Sequence, residues 1–159
     1  MGLADLHKLG EYVKVALGAD HAGYELKEKV KKYLSSKGVE TIDMGTNSTE
    51  SVDYPDFATQ VALMVSKREA DWGVLVCKSG IGMSIAANKI AGVRAALSHT
   101  VEDAQLARGH NDANVLALSG AFTTEEEAKK IIDTWLETKF EGGRHERRVS
   151  KIKNLEDKS

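Results

Sequence analysis

Short apolar runs alternate along this chain with amphipathic segments, and that alternation restricts the fold more than any single motif. Residues 13–17, 39–42, 72–76, 93–97 and 114–118 are apolar stretches too short to make helices, and they read as strands. Residues 24–37, 56–67, 83–89 and 101–108 lie between them and read as helices. The first presents Leu26, Val30, Tyr33 and Leu34 on one face, the second Phe57, Val61, Met64 and Val65. Gly38 stands where a helix C-cap is expected. Thr123 and Glu126 have capping-box spacing before a helix whose stripe is Ala128, Ile131, Ile132, Trp135 and Leu136. Strands separated by crossover helices must run parallel and be covered on both faces. The expected fold is therefore α/β: an open five-stranded parallel sheet with helices on both faces, a Rossmann-like three-layer arrangement, followed by a C-terminal helical tail.

A chain of 159 residues suits one domain. It divides into an N-terminal extension, 1–12, an α/β domain, 13–140, and a tail, 141–159. Leu3, Leu6 and Leu9 could line a short helix in the extension. In the tail, Val149, Ile152 and Leu155 form a narrow apolar edge, better suited to packing on a partner than to closing a core. The net charge of −2 gives no general attraction to nucleic acid or to acidic membranes. No apolar run approaches the ~20 residues of a membrane helix. The lone cysteine, Cys77, precludes an intrachain disulfide and fits a reducing compartment, so a cytoplasmic location is expected.

The chemistry gathers at strand ends. Segment 74–84, Val-Leu-Val-Cys-Lys-Ser-Gly-Ile-Gly-Met-Ser, reads as a buried strand that stops at Cys77, turns through glycines and enters a helix. Such a loop offers unpaired N–H groups and a partial positive charge, which favour a thiolate and can hold a developing oxyanion. Ligands of open α/β sheets bind beyond the carboxyl ends of the strands. Asp20 and His21 follow the first strand, Cys77 and Ser79 the third, and His99 the fourth. Asp20 could equally serve as a helix cap. His110 and Asn111 precede the fifth strand, toward the opposite edge, so His110 is either structural or acts across a dimer interface. Known nucleotide motifs fail: 18–23 has P-loop glycine spacing without the following Lys-Ser/Thr, and Gly80-Ile81-Gly82 lacks the third glycine of a dinucleotide fingerprint. Paired cysteines and close histidine pairs are absent, so no metal is expected. A Gly-x-Ser-x-Gly elbow is absent too.

Five blocks, in order, resemble ribose-5-phosphate isomerase type B, a family that also includes galactose-6-phosphate isomerase subunits and allose-6-phosphate isomerases. They are Asp20-His21-Ala22-Gly23, the stretch 51–56, the loop and helix 77–88, His110 to Asn114, and Gly142 to Arg148. The resemblance implies an aldose–ketose isomerase of the pentose phosphate pathway, cofactor-free and metal-free. It also implies a homodimer or dimer of dimers with sites shared between subunits. On the family pattern Cys77 is the base that moves a proton between C1 and C2 through a cis-enediolate. Ser79 and the N–H groups of Gly80, Ile81 and Gly82 hold the enediolate oxygens. His110, with Asp20, assists ring opening, beside Asn111. His21, Arg144 and Arg148 contact the phosphate, and Tyr54 lines the pocket. The family loop usually has glycine where Lys78 stands, and an arginine where Ala121 stands. Lys78 is expected to restore positive charge near the phosphate. Those two departures leave open a hexose 6-phosphate or an unphosphorylated aldose as substrate, and, in another class, sugar-phosphate binding without turnover.

Overall fold

The computed structural model describes residues 13–158, so the extension 1–12 with its leucines lies outside the described residues. Eleven elements follow in order: β1 (Lys14–Ala19), α1 (Tyr24–Ser36), β2 (Glu40–Asp43), α2 (Tyr54–Ser66), β3 (Trp72–Cys77), α3 (Ile81–Ala87), β4 (Ala95–Leu97), α4 (Val101–Asn111), β5 (Val115–Ser119), α5 (Glu125–Glu137) and α6 (Arg144–Glu156). The five strands form one parallel sheet in the order β2-β1-β3-β5-β4. None of the described helices is long and apolar enough to cross a membrane.

Period-two alternation sends neighbouring residues to opposite layers. Val15, Leu17, Val74, Val76, Leu116 and Leu118 pack with the apolar faces of α1, α4 and α5. Ala16, Leu75, Cys77, Val115 and Ala117 pack with α2 and α3. Cys77 therefore ends β3 on the α2–α3 side of the sheet. Trp135 of α5, 1% exposed, meets Trp72 edge-on at 5.5 Å between ring centroids.

The expected elements form, with shifted ends. β1 runs on to Ala19 because Gly18 and Ala19 still pair with Leu75 and Val76. The capping box is Thr124 with Glu127, one residue later than expected, since both of its hydrogen bonds form there, at 3.2 and 2.8 Å. Thr123 is instead tied by its N–H to the Ser119 carbonyl. Two shifts bear on the site. α4 continues to Asn111, where Asp112 takes a left-handed φ of 46° and ends it, so His110 and Asn111 belong to a helix end. α3 starts at Ile81, so the glycine loop is shorter than the sequence suggested.

One buried side chain was not foreseen. Lys27 of α1 is 0% exposed and donates to both Asp43 carboxylate oxygens, at 2.7 and 2.9 Å. Lys31 also reaches Asp43, at 2.7 Å. Burial raises the Asp43 carboxyl's affinity for a proton, but the hydrogen bonds from Lys27, Lys31 and the Gly45 N–H outweigh it, and its pKa is lowered.

Candidate active site

The strand order makes β1 and β3 the switch point. From β1 the chain crosses to β2 on one side. From β3 it proceeds toward β4 and β5 on the other. The loops leaving the two carboxyl ends diverge and open a crevice. The Asp20 N–H donates to the Val76 carbonyl at 3.2 Å, so Asp20 and His21 lie directly beside Cys77.

Cys77 is 4% exposed. Its Sγ accepts the Gly80 N–H at 3.2 Å. Gly80 achieves this with a φ of +81°, and a Cβ there would lie 2.9 Å from the Leu118 carbonyl oxygen and 2.6 Å from Leu97 Cδ1. The tight return is thus open to glycine and to little else. Ser79 Oγ accepts the Ile81 N–H at 3.2 Å, which leaves the hydroxyl proton free to donate outward. Of the N–H groups expected to face substrate oxygens, Gly80's is aimed at sulfur and Ile81's at Ser79. Those of Gly82 and Met83 make no hydrogen bond among the described residues. The Tyr54 ring covers Gly82 so closely that a Cβ on Gly82 would lie 2.7 Å from two ring carbons.

Asp20 is 6% exposed, and its Oδ1 accepts the N–H groups of Ala22 and Gly23, each at 3.0 Å. That oxygen holds the turn that leads into α1; it does not fill the capping role the sequence left open, since the N-cap is Gly23 and no side chain bonds the first turn. His21 Nδ1 accepts the Val52 N–H at 3.2 Å. Lys78 is exposed, and its carbonyl accepts the Ser119 hydroxyl at 2.6 Å and the Ala121 N–H at 3.1 Å. The two unusual positions, 78 and 121, are therefore in direct backbone contact at the crevice rim.

A second group forms away from the first. α4 starts at the carboxyl edge of the sheet and ends at the amino edge, which carries His110 and Asn111 to the end opposite Cys77, about 16 Å away along the strand direction alone, the length of β3 at about 3.3 Å per residue. His110 Nε2 lies 3.1 Å from Glu141 Oε2, and its ring stacks on that of His145 with centroids 4.1 Å apart and planes 11° from parallel. Burial lowers the His145 pKa first, and His110 and Arg144 lower it further, so His145 favours the neutral form. Arg144 and Arg148 stand exposed on the same helix start. The residues anticipated for one site thus form two groups within the subunit: Asp20, His21, Tyr54 and 77–82 in one, His110, Asn111, Arg144 and Arg148 in the other.

Sequence reading missed three things here. Glu141 and His145 come together with His110, their ligand-type atoms all within 4.8 Å of one another. Spacing rules find such sets only within one segment, and these residues come from a helix end, a loop and the next helix. Parallel stacked rings aim their in-plane lone pairs along parallel planes rather than at one point, a poor start for binding a metal. The third omission, the Val52 N–H on His21, is a backbone group with no sequence signal.

Residues 15–152 match the family described as ribose/galactose isomerase. The chain is 49% identical over 145 residues to the ribose-5-phosphate isomerase B of Escherichia coli, covering 91% of this chain and 97% of that one. A ribose 5-phosphate isomerase of Thermotoga maritima superposes with a TM-score of 0.89 at 54% identity, over 91% of this chain and 99% of the other. The ribose-5-phosphate isomerase B of Mycoplasma genitalium, solved with bound ribulose-5-phosphate, gives 0.89 at 43% identity, over 92% and 98%.

Proposed function

The chain belongs to the ribose/galactose isomerase family, and from that membership we propose that it interconverts ribose 5-phosphate and ribulose 5-phosphate in sites built from two copies of the chain. Cys77 carries the reading: a lone cysteine, buried at the switch point, with an N–H aimed at its sulfur.

In the proposed reaction the Cys77 thiolate takes the proton from C2 of the open-chain aldose. The C2–H electron pair forms the C1–C2 double bond, and the carbonyl electrons move to O1, giving a cis-enediolate. The proton then returns from sulfur to C1, while the hydroxyl proton passes from O2 to O1. A proton beside a carbonyl is only weakly acidic, so the base must be close and the oxyanion stabilised by fixed donors. The Ser79 hydroxyl and the free N–H groups at the start of α3 suit that task. No step calls for a cofactor.

His110, Asn111, Arg144 and Arg148 enter the site from the second copy. His110 assists ring opening, and the arginines, with His21, hold the phosphate as planar forks suit a dianion. Support comes from the apolar groups left on the surface: Ile85 is 58% exposed, Leu106 50%, Ile152 42% and Leu155 63%. Ile152 and Leu155 border a cavity of about 570 Å³ with Ile90 and Val93, a concave apolar surface that another subunit could fill.

Steady-state assay of ribose 5-phosphate beside ribose, allose 6-phosphate and galactose 6-phosphate tests the reading. The highest kcat/KM should fall to ribose 5-phosphate. Turnover of a hexose phosphate alone, or binding without product, overturns it.

A further inference from the structure

The Val52 N–H has only a proton to offer, so the His21 nitrogen that accepts it, Nδ1, must carry a lone pair. A neutral imidazole then has its proton on Nε2, the nitrogen that makes no hydrogen bond among the described residues. What brings the Val52 N–H to this place is a loop secured at both ends. At its start, Asp43 accepts the buried Lys27 at 2.7 Å and the Gly45 N–H at 2.9 Å. Beyond β2 the backbone keeps pairing with β1: the Ala19 N–H donates to the Gly45 carbonyl and the Thr46 N–H to the Ala19 carbonyl, both at 2.8 Å. At its end the loop passes into α2, whose first residue, Tyr54, lies over Gly82.

We propose that loop 44–53, anchored by the Lys27–Asp43 pair, is a positioning element that presets His21 as the Nε2–H tautomer. The nitrogen left for substrate is then a hydrogen-bond donor before any sugar phosphate arrives. The opposite tautomer would turn a lone pair toward a dianion. The inference rests on the reading that His21 contacts the phosphate, and it adds how the free protein prepares that contact. Val52 and Asp43 act through His21 and touch no substrate, so they are positioning residues.

The test uses the full chain labelled with nitrogen-15 at histidine. Long-range proton–nitrogen correlation at mildly alkaline pH, with the His21 signals assigned by their loss in His21→Gln, should show one neutral tautomer protonated at Nε2. Val52→Pro removes the N–H, and because its ring also fixes φ, Val52→Ala, which keeps the N–H, serves as the control for the changed side chain and a melting curve as the control for the backbone. The proline variant should mix the tautomers and, because apparent affinity scales with the competent fraction, raise KM for ribose 5-phosphate about two-fold when half of the rings carry the proton on Nδ1, with kcat little changed. In a His21→Gln background, whose amide donates without a tautomer to choose, adding Val52→Pro should cost little more. A His21 ring protonated at Nδ1, or averaged between tautomers, in the unaltered protein overturns the inference whatever the kinetics. An Nε2–H ring with KM unchanged in His21→Ala instead overturns the phosphate reading beneath it.

Discussion

Replacing Gly80 by alanine is the sharpest local perturbation of this site, because two separate costs can be read from the geometry. The residue has a φ of +81°, where an L side chain costs about 1–2 kcal/mol. The added Cβ would also lie 2.9 Å from the Leu118 carbonyl oxygen and 2.6 Å from Leu97 Cδ1. Leu97 can shift, but a strand carbonyl in a central ladder cannot, and overpacking of this kind costs about 1–3 kcal/mol. Together these give about 2–5 kcal/mol, or a fall in melting temperature of roughly 2–4 °C per kcal/mol for a chain of this size. The strain relaxes by swinging the Gly80 N–H off the Cys77 sulfur, so kcat should fall with stability. Gly82→Ala provides the contrast. Gly82 has no positive φ, and its crowding comes from the Tyr54 ring, a side chain at the surface that can move. That variant should unfold near the original temperature yet raise KM. Circular dichroism melts and a coupled isomerase assay on both variants decide it. A Gly80→Ala protein that melts within a degree of the parent at full kcat refutes the reasoning.

Further outcomes follow from the same structure. Lys78→Gly should raise KM for ribose 5-phosphate more than for ribose, and adding Ala121→Arg should rescue it, since the two positions share a backbone hydrogen bond; an unchanged KM makes Lys78 a bystander. Mixing inactive Cys77→Ala and His110→Ala subunits should restore activity if each site draws on two copies; exchange shown by mass spectrometry with no activity contradicts the shared site. Lys27→Met takes one of two lysines from Asp43, which keeps Lys31 and the Gly45 N–H, and should destabilise the fold by about 1–3 kcal/mol in urea titration. Folding lowers the His145 pKa, so near and below its ordinary value the unfolded chain binds more protons than the folded one and stability drops as pH falls from about 7.5 through that value. His145→Asn should remove that part of the slope, and an unaltered slope speaks against it.

The sheet and its crossovers were legible because strands and helices alternate with clear periods, and the strand-end logic located Cys77, Asp20 and His21 without coordinates. Helix ends were harder. α4 outruns its apolar stripe because its last turn is held by polar contacts: Arg108 bonds Asp112 at 3.0 Å and lies 4.1 Å from the centre of the Trp72 ring. Lys27 was unreadable as a core residue, since its burial depends on Asp43, sixteen positions away and in another element. The split of the anticipated site into two groups was legible only in part. The position of His110 before β5 placed it at the far edge, but Arg144 and Arg148 follow it there through the packing of α6 on α4, which no local pattern encodes.

The central claim is that Cys77 moves the proton, and the most direct measurement is proton magnetic resonance of ribose 5-phosphate in heavy water with the unaltered protein and with Cys77→Ala. The unaltered protein should form ribulose 5-phosphate. The variant, still folded, should lose both interconversion and exchange of the C2 proton by at least about a hundred-fold, the low end of what a positioned base contributes. A folded Cys77→Ala protein that isomerises the sugar at near the original rate contradicts the account.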